Sequence, residues 1–113
     1  MTPEGRVKDA IKKLLVSRGA YYFMPVSNGM GRHGIPDIIA CYRGWFIGIE
    51  VKAPGKEKTV TANQARELEN IGVAGGYSLV ASDASFVEDV LNVIDMSYTA
   101  SSVKDYTAGM DTS

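Results

Sequence analysis

The sequence predicts an α/β fold: a single four-stranded mixed sheet flanked by helices, in the order αβββαβα. Three observations lead there. Apolar residues at helical spacing open the chain and recur near its end. Between them lie short runs rich in Ile, Val and aromatics, bounded by Gly and Pro. Two of those runs, 37–42 and 45–51, flank Arg43-Gly44 closely enough to pair as a β-hairpin. With 113 residues the chain makes one domain, taken as 1–96, followed by a polar tail over 97–113.

The first helix opens at Thr2 as N-cap, with Pro3 at the first helical position and Glu4 in the first turn. Val7, Ile11, Leu14 and Leu15 form its apolar stripe, and Gly19 stops it. Ala20–Val26 reads as the first strand, weakened near its end by Pro25. Tyr21, Tyr22 and Phe23 are expected in the core and on the sheet surface. The loop Ser27–His33 follows. Gly29-Met30-Gly31-Arg32-His33-Gly34 spells a dinucleotide fingerprint, but that motif needs a helix directly after it. Pro36 and a β run follow instead, so the Rossmann reading is rejected. Arg32 and His33 on this loop suit a phosphate-backbone contact, with an idle exposed histidine as the plainer reading.

Past the hairpin, Ala53–Val60 reads as a basic connector carrying Lys56 and Lys58. Thr61-Ala62-Asn63-Gln64 opens the second helix as a capping box, with Ala65, Leu68 and Ile71 on its inner face. Gly72, Gly75 and Gly76 end it. Tyr77–Ala81 is the last strand. The last helix starts at the Ser85–Glu88 capping box, or slightly earlier at Ser82 or Asp83. Val87, Val90, Leu91 and Ile94 are its stripe.

Composition narrows the function. The single cysteine, Cys41, allows no internal disulfide and no cysteine metal cluster; its apolar strand predicts burial. No apolar signal core or membrane-length run occurs, so a soluble cytoplasmic protein is expected. The net charge of −1 hides an asymmetry. Residues 1–66 carry 11 Lys/Arg against 5 Asp/Glu, and residues 67–113 carry 1 against 8. A basic face beside an acidic body fits nucleic acid.

The hairpin carries the chemistry. With a two-residue loop at Arg43-Gly44, Tyr42 faces Trp45, Ile39 faces Gly48 and Asp37 faces Glu50. Opposed residues share a face, and alternation brings Lys52 to it as well. Gly48 beside them leaves the site uncrowded. Two carboxylates so close need either a proton on one of them or a cation between them, which could be Lys52 or a bound metal. Oxygen ligands suit Mg²⁺ or Mn²⁺, and such an ion beside an amine is equipped to activate water against a phosphodiester. A surface ion-pair cluster is the plainer alternative. A type I turn with a Gly bulge, favoured by the poor fit of Arg to positive φ, would instead send Asp37 and Glu50 to opposite faces.

Gly34-Ile35-Pro36-Asp37 with Glu50-Val51-Lys52, followed by Thr61 and Gln64, resembles the virus-type replication-repair nuclease (VRR-NUC) branch of the PD-(D/E)XK nucleases, in its stand-alone phage form. The resemblance spans about residues 2–81. It implies a restriction-endonuclease-like core and Mg²⁺- or Mn²⁺-dependent hydrolysis of DNA. Asp37, Glu50 and the carbonyl of Val51 would hold the metal, and Lys52 would orient water and stabilise charge. Gln64 would pack near Lys52, and Glu4 would be the first-helix acid that reaches the metal site. Arg32, Lys56, Lys58 and Arg66 are expected on the DNA backbone. The phage members further imply branched, Holliday-junction-like DNA, a homodimer and the host cytoplasm. The last helix and the Tyr98–Tyr106 segment are candidates for the dimer contact. A non-catalytic DNA-binding module of the same fold and a nucleotide-binding protein using the Gly-rich loop are the rivals.

Overall fold

The computed structural model describes residues 1–26 and 31–98. Three α-helices and four strands follow the expected order: α1 Pro3–Ser17, β1 Tyr21–Phe23, β2 Ile38–Tyr42, β3 Trp45–Val51, α2 Ala62–Val73, β4 Tyr77–Ala81 and α3 Ala84–Ser97. A 3-10 turn, Glu57–Thr59, interrupts the basic connector read as plain loop. The sheet runs β1-β2-β3-β4, antiparallel up to β3 and parallel from β3 to β4. α2 is the crossover that the parallel pair requires.

The hairpin register decides where the side chains go. Ile39 pairs with Gly48 and Tyr42 with Trp45, as a two-residue loop demands. Arg43 and Gly44 both sit at positive φ, 50° and 87°, the mark of a type I′ turn. The bulged alternative is therefore not adopted. Arg43 tolerates this backbone because its guanidinium is held from outside the turn. Its Nε donates to Asp95 Oδ1 at 2.6 Å, and its plane covers the rings of Tyr42 and Tyr98. Asp95 also accepts from Tyr42 Oη at 2.7 Å and Arg18 Nη2 at 2.6 Å, so one carboxylate pins α1, the hairpin turn and α3 together.

Pleating gives the sheet two unlike faces. Ile38, Ala40, Ile47, Ile49, Val51, Leu79 and Ala81 point to one, where Val7, Ile11 and Leu15 of α1 and Val87, Leu91 and Ile94 of α3 meet them. All of these are buried, and each large side chain contributes about 1.5–3 kcal/mol by leaving water. The α3 stripe is thus core. Phe86, Val93 and Met96 are its exposed apolar residues. The opposite face carries Asp37, Ile39, Cys41, Phe46, Gly48 and Glu50, and α2 covers only part of it.

Several local expectations are corrected. β1 is three residues long instead of seven, because the chain turns away before Pro25. Its aromatics do divide as expected between sheet surface and core: Tyr21 and Phe23 lie exposed on the open face, while Tyr22 packs against the core. Cys41 is exposed, since α2 packs against β3 and β4 and leaves the β2 side of this face open. Within α2, Ala65 faces solvent and Glu67 is the buried residue, with Leu68 and Ile71 only partly covered. A Cβ on Gly48 would meet Ile71 Cδ1 at 2.5 Å, so this glycine admits the helix and does not leave room for a ligand. α3 is capped by Asp83, whose side chain accepts from Phe86 N and Ser85 Oγ. The tail beyond Tyr98 and the loop over 27–30 lie outside the described residues.

Candidate active site

The site forms where the hairpin opens. Asp37 stands just before β2 and Glu50 near the end of β3, and the continuing register sets them opposite one another. Lys52 follows on the same face; its backbone N–H bonds to Ala81 O at 3.0 Å, which prolongs the β3–β4 ladder to this residue. Lys52 Nζ lies 3.8 Å from Glu50 Oε2 and donates to Gln64 Oε1 at 3.1 Å. Gln64 Nε2 in turn donates to Glu50 Oε2 at 2.9 Å. The α2 capping box is also complete: Gln64 Oε1 accepts from Thr61 N at 2.9 Å, and Thr61 Oγ1 from Gln64 N at 3.2 Å. One glutamine therefore starts the helix and ties the acid to the amine.

Glu50 is 4% exposed, an unusual position for a carboxylate. Burial, and then the charge of Asp37, push its pKa up to about 7, against the pull of Lys52. The site is short of positive charge. The backbone adds a further acceptor. In the β2–β3 ladder the partner position of Val51 is Pro36, which has no N–H to donate to the Val51 carbonyl. The Val51 N–H goes to Asp37 Oδ2 at 2.8 Å. Two carboxylates, a carbonyl without a ladder donor and a deficit of charge fit a hard divalent cation, which commonly takes one or two carboxylates and keeps several waters. Among the described residues no group of three or more His, Cys, Asp or Glu side chains is placed to hold a metal, so an ion here would rest on the two carboxylates, the carbonyl and water.

Gly34 holds the two halves of the site together. Its φ is +85°, and a Cβ there would lie 2.4–2.6 Å from backbone atoms of Asn63 and Gln64. Only glycine lets the segment leading to Asp37 press against the first turn of α2. Arg32 strengthens the same seam, donating from Nη2 to both oxygens of Glu67 at 2.8 Å. This arginine was expected on DNA; it remains largely exposed but is paired within the chain.

Glu4 does not reach the acidic pair directly. It sits 3.9 Å from Lys8 Nζ, which is itself 3.8 Å from Asp37 Oδ1. Lys56, Lys58, Arg66 and His33 are exposed, and none of them takes part in an ion pair among the described residues. The sequence reading passed over Lys8 and Glu67. Spacing gives only their local neighbours: Lys8 follows Glu4 by one helical turn, and Glu67 follows Gln64 on the same side of α2. The Gly31–Gly34 segment leads into β2 and not into a helix, which removes the geometry a dinucleotide site needs. No described helix is long and apolar enough to cross a membrane.

A solved structure described as "VRR_NUC domain" is similar to this chain, with a TM-score of 0.62 and 26% identity, covering 87% of this chain and 100% of that one. Neither a scan against family models nor a search of curated proteins finds a match.

Proposed function

We propose that this chain, whose fold is similar to that of a VRR_NUC domain, hydrolyses DNA phosphodiester bonds with Mg²⁺ or Mn²⁺. The observation that carries this reading is the convergence of Asp37, Glu50 and Lys52 at the open end of one hairpin. Asp37, Glu50 and the Val51 carbonyl would hold the cation. The cation, when bound, neutralises the acidic pair and acts as a Lewis acid on the phosphate. Lys52 orients the attacking water and stabilises the negative charge that grows on the phosphoryl oxygens. Gln64 keeps the ammonium and Glu50 in register by bonding to both. Lys56, Lys58 and Arg66 hold the flanking phosphates, which makes affinity fall with salt.

Branched DNA is the proposed substrate and a homodimer the proposed assembly, since a two-fold pair of such sites can cut two strands of a symmetric junction. Labelled linear, flap and four-way-junction DNA, incubated with Mg²⁺, Mn²⁺ or EDTA, tests the reading. Cutting is expected with either metal and is lost in EDTA and in Asp37→Ala or Lys52→Ala. Binding of branched DNA without any nicking would favour the non-catalytic module. Undiminished cutting by Lys52→Ala would refute the role given to that residue.

A further inference from the structure

Lys8 has no part in the chemistry of Asp37, Glu50 and Lys52, yet it stands among them. The two oxygens of Asp37 have different partners. Oδ2 accepts the Val51 N–H, while Oδ1 faces the Lys8 ammonium at 3.8 Å. Oδ1 is thus the oxygen left for a cation, and a cation of the chain already stands beside it. Glu4 Oε2 lies 3.9 Å away on the other side of the same ammonium. Both separations exceed hydrogen-bonding range, so the pairing is loose and exchangeable. Lys8 also lines a cleft of about 280 Å³ that runs from Asp37 past Pro36 and Ile35 to Met24 and Arg32.

We propose that Lys8 is the resident counter-cation of Asp37: it competes with the divalent ion for Oδ1 and, once displaced, presents its ammonium in this cleft to the DNA phosphate next to the scissile one. The proposal rests on the metal-dependent reading given above. Its physical basis is charge and reach. An ammonium at this distance weakens the attraction of the acidic pair for a second cation. α1 fixes the backbone of Lys8, while its flexible four-carbon stem lets the ammonium turn from Asp37 to the cleft. Free protein then keeps its acids partly neutralised, and loaded protein gains a phosphate contact.

The test measures Mn²⁺ binding, by calorimetry and by the EPR signal of free Mn²⁺, for wild type, Lys8→Met, Lys8→Arg and Asp37→Asn without DNA. Lys8→Met is expected to bind Mn²⁺ about fivefold tighter, the Coulomb scale for one charge at this separation when water screens it fully. Lys8→Arg stays near wild type. In cleavage assays Lys8→Met raises KM for DNA by about threefold or more, leaves kcat within about twofold, and Lys8→Arg restores KM. Unchanged or weaker Mn²⁺ binding by Lys8→Met, or a fall in kcat at constant KM, overturns the proposal. Should Lys8→Met not fold, Lys8→Gln carries the same comparison. If wild type binds Mn²⁺, Asp37→Asn does not, and Lys8→Met equals wild type, only the role of Lys8 fails. If wild type binds no Mn²⁺, the metal reading fails and this inference falls with it.

Discussion

The two faces of the sheet come from the same strands and share almost nothing else. On one, alternate residues of β2, β3 and β4 are aliphatic and lie under α1 and α3. On the other, the residues between them include Asp37, Glu50 and Lys52, and α2 leaves much of the surface open. Stability is concentrated on the first face and chemistry on the second. A pleat with a period of two makes the separation possible, because each residue can serve one side without reaching the other. It also makes the arrangement fragile: a slip of one residue would bury the acids and expose the isoleucines.

The sharpest way to break this division is to show that one face does the work of the other. Asp37→Asn or Lys52→Ala should lower cleavage by at least about 10²–10³-fold while the melting temperature changes little. Ile49→Ala on the covered face should cost about 2–5 kcal/mol in urea unfolding and leave Mn²⁺ affinity of the folded fraction unchanged. Gly34→Ala tests the seam between the Asp37 segment and α2. A loss of about 2 kcal/mol or more and a drop in activity are expected, because the clash is with backbone at positive φ. The capping box separates the two roles more finely. Thr61→Ala should cost about 1 kcal/mol, as lost caps do, with cleavage largely kept; Gln64→Ala should show the same instability and a clear loss of cleavage.

A further effect lies in pH. Folded Glu50 keeps its proton up to about pH 7, whereas its ordinary value is 4.5. Across that window the folded state binds more protons than the unfolded one, so its stability falls as pH rises. In EDTA, wild type should lose stability relative to Glu50→Gln between about pH 5 and pH 7.5. Mn²⁺ should reverse the loss at the upper end by binding the ionised pair. A flat difference between the two proteins would remove burial as the cause of the raised pKa.

Much of this was legible in the chain because local rules suffice for it. Pro3, Gly19 and the Thr61–Gln64 box mark helix ends by chemistry that acts within one turn. Arg43-Gly44 set the hairpin register, and the register alone puts Asp37 opposite Glu50. What the chain did not disclose depends on contacts between distant segments. Arg43 accepts positive φ because Asp95 and Tyr98 hold its head group. Glu67 is buried because Arg32 neutralises it, and Cys41 is exposed because α2 packs on β3 and β4 and not on β2. Lys8 carries no local signal beyond its place one turn after Glu4. Its place at Asp37 follows from how α1 lies on the sheet, which no periodicity states.

Asp95 gathers Arg18, Tyr42 and Arg43, three donors from early and middle parts of the chain, onto an acid that is synthesised late. The candidate ligands all precede residue 65, so a ribosome completes them well before it supplies the clasp that fixes the far tip of their ribbon. Until α3 arrives, the tip lacks its anchor and Arg43 has less reason to keep its unusual backbone. The nascent chain thus holds every reactive group of the site while still missing the brace that stiffens it. Assembly order, and not only the final contacts, separates the unfinished polypeptide from a working one.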